Sequence, residues 1–163
     1  MATIALTLEE IEELSREVLH FNGCDDLNTD ALVRTIVTAE RDGSASHGLF
    51  RLPGYVASLR SGKVNGKARP SVDNKLKAVV KVHGDNGYAP IAIETGVPVL
   101  AAAAKLLGVA VMTMTNTYHF AALWPEVEAL AEEGLIGLAC VCTQPFVAPA
   151  CLLYTSPSPR DAP

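Results

Sequence analysis

The sequence predicts a mixed α/β fold, and three observations lead there. From Thr7 to Leu59 apolar residues recur at helical spacing. Beyond Lys77, short β-branched runs alternate with longer Ala- and Glu-rich ones, the pattern of strands and helices layered around a buried sheet. No G-x-G-x-x-G occurs, which leaves no basis for a Rossmann dinucleotide fingerprint. The 163 residues, 49% apolar and 19% charged, suffice for one hydrophobic core and are too apolar for a disordered chain.

Thr7 and Glu10 form a capping box, and Leu8, Ile11, Leu14 and Val18 follow as an inward stripe, with Gly23 as the stop. A second helix is expected from Asn28 or Thr29, burying Leu32, Val33, Ile36 and Val37 and ending by Gly43. After the connection "RDGSASHGLF", a short helix spans Leu52 to Leu59, and "RSGKVNGKARP" is a polar loop. "KAVVKVHG" reads as a strand ended by the turn signal "DNG". Ala89 to Leu107 reads as an Ala-rich helix containing Pro98, "VAVMTMT" as a strand, Leu123 to Glu133 as a helix with Pro125 in its first turn, and "LIGLACVC" as a last strand.

A net charge of −5 supplies no basic field for nucleic acid or an anionic membrane. The start "MATIALTLEEIEELSREV" has acids where a secretory signal needs a basic and then an apolar region. The apolar run Val97 to Met114 is interrupted by Pro98, Lys105 and Gly108 and reads as helix plus strand rather than a membrane span. Cys24, Cys140, Cys142 and Cys151 fit neither zinc spacing nor a disulfide framework; they are expected buried and reduced, in a cytoplasmic protein without a metal. Residues 151–163 are polar, rich in Ser and Pro and without periodicity, and 151–161 look like a reading frame of a sequencing-library adapter. They are expected to be a non-native tail on an incomplete chain.

Two clusters have chemical character. Ser46, His47 and Arg51 combine a hydroxyl, an imidazole that titrates near neutrality and a planar cation suited to a carboxylate. His119 lies between a strand and a helix, where backbone N–H groups can receive an anion. On residue types alone, a turn cap, a histidine satisfied by a backbone carbonyl and a surface arginine account for these residues somewhat better. Cys24 and His83 carry no signal, Tyr88 reads as turn packing and His20 as a helix-end surface residue.

"RDGSASHGLFRLPGY" and "TNTYHFAALWPEVEALAEEGLIGL" together resemble the malate/L-lactate dehydrogenase family of nicotinamide-dependent oxidoreductases with a non-Rossmann fold. The resemblance covers roughly residues 8–150, the first part of a chain normally about twice as long. It is strongest to the Δ1-piperideine-2-carboxylate/Δ1-pyrroline-2-carboxylate reductase branch, which "SLRSGKVNGKARP" and "GDNGYA" also fit.

The resemblance implies that His47 donates a proton, Ser46 relays it and Arg51 holds the carboxylate of a small substrate. His119, Phe120, Ala121, Ala122 and Leu123 would line NADPH or NADH. It also implies a helical segment 1–70 bearing the Ser-His-Arg site, a cofactor-binding α/β region beginning at 71–150, and a homodimer. Tyr118 departs from the small residue that relatives often have there. The expected reaction is reduction of cyclic imino acids to L-proline or L-pipecolate. The rivals are a 2-hydroxy-acid dehydrogenase of the malate, lactate or ureidoglycolate type, and an inactive fragment.

Overall fold

The computed structural model describes residues 4–119 and 121–141. The first helix, α1 (Leu8–Phe21), begins at the expected capping box: the Thr7 side chain accepts from the Glu10 backbone N–H, and the Glu10 carboxylate accepts from Thr7 N at 2.7 Å. Its buried stripe is Ile11, Ser15 and Leu19, whereas Leu8 and Leu14 are exposed. Of the expected stripe Leu8, Ile11, Leu14 and Val18, Ile11 is buried and Val18 packs partly against the core, while Leu19, fully buried, takes the seat that Leu8 and Leu14 do not.

Helix α2 (Asp26–Arg41) starts two or three residues earlier than expected, because Asp25 caps it by accepting from Asn28 N. Asn28 and Thr29 are then interior residues rather than starters, both buried; Asn28 Nδ2 also donates to the Ala68 carbonyl and ties α2 to the polar loop. Leu32, Val33 and Ile36 point inward as expected, Val37 partly so. A 3-10 turn (Leu49–Arg51) leads into α3 (Leu52–Arg60), whose Tyr55 closes this first core together with Val64 and Tyr88.

Strand β1 (Ser71–Leu76), read from the sequence only as an undefined stretch, pairs antiparallel with β2 (Val79–Tyr88). Its residues are mostly exposed, so apolar alternation could not reveal it. β2 in turn pairs parallel with β3 (Val111–Tyr118), giving a mixed sheet in the order β1-β2-β3. The "DNG" stretch does not end β2. Asp85 and Asn86 adopt the positive φ that suggested a turn, yet β3 pairs on both sides of them, His83 with Thr115 and Gly87 with Thr117. The irregularity is held from outside: the Asp85 carboxylate accepts from Asn65 Nδ2 at 3.0 Å and from Arg69 N at 3.0 Å.

Helix α4 (Ala89–Leu107) connects β2 to β3, runs through Pro98, and ends at Gly108 in the left-handed region. Gly96 permits its close seat: a Cβ there would collide with Val82 and Met112 of the sheet. Val80, Val82, Ala92, Leu100 and Ala103 form this second core. By length and composition α4 would cross a membrane, with a mean hydropathy of 1.5 over its apolar window, but it packs on the sheet and pairs Glu94 with Arg34 of α2. The run Val97–Met114 is thus helix and strand, as expected.

Helix α5 (Trp124–Glu132) has Pro125 in its first turn as expected. The expected strand from Leu135 is not there: Leu135–Val141 has no regular structure, and Ile136 and Leu138 are exposed. An apolar β-branched run becomes a strand only where a ladder partner exists, and none of the described residues pairs with it. Cys24 is buried, but Cys140 is exposed, which corrects the expectation for that residue; Cys142, Cys151 and the 151–163 tail lie outside the described residues.

Candidate functional site

The connection after α2 is built to hold His47. Asp42 ends the helix, and the chain makes a tight turn in which His47 N donates to the Ser44 carbonyl at 2.8 Å. Gly48 follows with no room for a side chain, because a Cβ would strike the Glu40 carboxylate, which accepts from Leu49 N at 2.6 Å. His47 Nδ1 lies 3.0 Å from Ser46 Oγ and 3.3 Å from Ser44 Oγ. With Nδ1–H donating to these hydroxyls, Nε2 remains as the exchangeable position. The ring is half-buried and stands edge-on to Trp124, centroids 6.0 Å apart at 86°.

Arg51 turns back over the same loop: its Nε donates to the Ser46 carbonyl at 2.7 Å. Among the described residues no carboxylate pairs with it, so the rest of its fork is open to an anion. Ser46, His47 and Arg51 are therefore brought together by a single turn.

His119 adopts φ +49 at the end of β3, and its Nε2 is buried with no hydrogen-bond partner among the described residues. Its pKa is lowered, first by burial and then by the charges of Arg51 and His47, which places it within electrostatic reach of the other cluster. Its ring meets Tyr55 edge-on at 5.2 Å. Ala122 is buried and Leu123 forms the N-cap of α5, while Phe120 lies outside the described residues. Ala121 lines a cavity of about 320 Å3 between α2, α4 and α5; His47, Arg51 and His119 do not line it.

Sequence reasoning missed Tyr55. It lies in the first turn of α3, four residues after Arg51, and its hydroxyl is buried without a partner among the described residues; burial pushes its pKa up to about 12. The i, i+4 spacing from Arg51 was the available signal. Tyr88, read as turn packing, is fully buried and donates from its hydroxyl to the Tyr55 carbonyl at 2.7 Å, so it fixes the helix that carries Tyr55. Tyr118 accepts from Ser58 Oγ at 3.3 Å and packs on Tyr88. His20 is at a helix end as read, its Nδ1 3.2 Å from the Cys24 carbonyl.

Comparison with known proteins identifies the family of the chain. A family profile described as malate/L-lactate dehydrogenase matches residues 6–151. The chain is 44% identical over 147 residues to a Δ1-pyrroline-2-carboxylate reductase of Ancylobacter novellus, covering 90% of the chain and 43% of the relative. It is 38% identical to a Δ1-pyrroline-2-carboxylate/Δ1-piperideine-2-carboxylate reductase of Pseudomonas putida, covering 98% of the chain and 48% of the relative. Among solved structures, the Δ1-piperideine-2-carboxylate reductase of Pseudomonas syringae pv. tomato superposes with a TM-score of 0.76 at 40% identity, over 81% of this chain and 40% of that one. The malate dehydrogenase of Entamoeba histolytica reaches the same TM-score at 25% identity, over 82% and 37%. The chain thus spans less than half the length of these relatives, and within that span it belongs to the malate/L-lactate dehydrogenase family.

Proposed function

We propose that this chain forms the proton-donating and carboxylate-holding part of an NAD(P)H-dependent reductase of small cyclic imino acids, converting Δ1-pyrroline-2-carboxylate or Δ1-piperideine-2-carboxylate to L-proline or L-pipecolate. The observation that carries it is the single turn uniting Ser46, His47 and Arg51, in a chain whose relatives are named for those substrates. Arg51 engages the substrate carboxylate with the fork face that Ser46 leaves open. His47 Nε2 gives its proton to the imine nitrogen, and the Ser46 and Ser44 hydroxyls hold the ring through Nδ1. A bound nicotinamide would supply the hydride for C2 of the C=N bond. The residues present fit such a group in one respect: His119 Nε2 is a buried polar atom with no partner among the described residues, beside a Tyr55 hydroxyl that has none among them either. Ala121, Ala122 and Leu123 would complete the lining at the start of α5. NADPH is the preferred form in this reading, and a cytoplasmic homodimer its setting.

The test is NADPH oxidation with each imino acid, by this chain alone and by the chain joined to the C-terminal half of the Ancylobacter novellus relative. Turnover of the imino acids over malate and lactate by the joined enzyme supports the reading. Preference for a 2-oxo acid would replace it with the hydroxy-acid dehydrogenase alternative.

A further inference from the structure

The cavity between α2, α4 and α5 is distinct from the His47 turn, since neither His47, Arg51 nor His119 lines it. Its volume of about 320 Å3 lies at the small end of ligand sites. Its walls are largely apolar, with Ile93, Val97, Pro98, Pro125 and Ala129 facing it.

Against these walls stand acceptors without donors. Glu126, in the first turn of α5, lines the cavity, and its Oε2 is buried with no partner among the described residues. Pro98 has no N–H, so the Glu94 carbonyl four residues earlier lacks its usual helical donor. Arg34 is the single cation in the lining, and it is engaged by the Glu94 carboxylate at 2.8 and 2.6 Å. A carboxyl buried beside apolar walls is best satisfied by a partner that brings both positive charge and N–H donors.

We infer that this cavity binds a small aliphatic or cyclic amine in its ammonium form, with the Glu126 carboxylate as counter-ion and the apolar walls around its carbon skeleton. A neutral ether or alcohol of the same shape fills the walls but leaves Glu126 without a cation. An anion is disfavoured by Glu126, whose charge the Arg34–Glu94 pair leaves uncompensated.

Ligand-observed NMR titration of the 163-residue protein with piperidine at neutral pH tests this, with tetrahydropyran as the isostere that lacks an N–H. Glu126→Gln keeps the side-chain volume while removing the charge. Ala129→Phe fills the cavity and keeps the carboxyl, and Ala129 is chosen because Glu126 also borders a larger trough that Ala129 does not line. Circular dichroism checks that both variants fold. Binding of piperidine at least tenfold tighter than tetrahydropyran is expected, weakened tenfold or more by Glu126→Gln and lost in Ala129→Phe. Equal binding of the two probes, no binding of piperidine, or piperidine binding unchanged in Glu126→Gln would each overturn the inference. Ala121 is the one lining residue shared with the cofactor lining proposed above, and Glu126 and Ala129 are not, so the binding of piperidine and its loss in the two variants are read separately from the imino acid assay.

Discussion

Trp124 and His47 set their rings nearly perpendicular, centroids 6.0 Å apart, while the Trp124 Nε1–H donates to Asp42 Oδ2 at 3.0 Å. One side chain thereby ties the start of α5 to the turn after α2, and brings the two clusters singled out in the sequence into one neighbourhood. Asp42 is held in place by Arg41, at 2.8 Å.

Trp124 is the one tryptophan in the chain, so its emission reports on this contact. His47→Ala should change both the intensity and the acid quenching of that emission. His20→Ala, at the far end of α1, should change neither. Equal responses in the two variants would mean that the His47–Trp124 contact does not persist in solution.

In the enzyme completed with the C-terminal half of a relative, His47→Ala should lower kcat by roughly 10²- to 10⁴-fold, the scale of losing a general acid. Arg51→Lys should act instead on KM, because a point charge cannot reproduce a two-pronged grip on a carboxylate. Stopped-flow and steady-state NADPH oxidation separate the two effects. A KM unchanged in Arg51→Lys would remove Arg51 from the substrate site.

Asp85→Ala should destabilise the fold by about 0.5–1.5 kcal/mol, the net worth of a hydrogen bond at a partly exposed site. The Asp85 carboxylate accepts from Asn65 Nδ2 and Arg69 N, and the same loop is tied by Asn65 N donating to the Asn86 carbonyl. Asp85→Asn should recover part of the loss, since an amide oxygen still accepts and asparagine tolerates positive φ. Urea denaturation of both variants measures this, and equal stability of all forms would show that the irregularity in β2 holds itself.

What was legible in the sequence follows what local signals can carry. The capping box at Thr7, the run of α4 and the turn chemistry around Ser46 are decided within a few residues, and the structure has them as read. β1 was invisible because its side chains face solvent and only pairing with β2 defines it. "DNG" misled because positive φ marks a left-handed residue, whether the chain turns there or bulges; β3, outside the window, decides. "LIGLACVC" failed for the converse reason, an apolar run with no ladder to join among the described residues. Of the site, the Ser-His-Arg turn was legible because it is contiguous. Trp124 over His47 and Tyr55 beside His119 were not, since each pairs residues far apart in the chain.

Gly96→Ala should cost about 1–3 kcal/mol, the usual penalty of overpacking. The added methyl meets Met112 and the branched Val82, and Val82 has no rotamer freedom to spare in a buried strand. Pairing it with Met112→Ala should recover part of that loss by vacating the contact. Thermal unfolding of the single and double variants decides, and purely additive losses would show that α4 shifts away from the sheet instead.

Acid should destabilise the fold through His119. Burial, Arg51 and His47 lower its pKa, so the unfolded chain takes up a proton before the folded one does. Stability is therefore present above the ordinary value of 6.5 and falls as the pH drops below it, until the folded residue also protonates. Glu126 opposes this. Its carboxyl is pushed up from 4.5 by burial, so its contribution is full below 4.5 and is lost as the pH rises through its higher folded value. The two slopes partly cancel in the native protein, and each single variant exposes the other. His119→Gln should flatten the loss of Tm between pH 7 and pH 5, whereas Glu126→Gln should steepen it. Thermal unfolding at constant ionic strength across that range gives the comparison, and parallel curves for the native protein and His119→Gln would show that His119 is not held neutral in the fold.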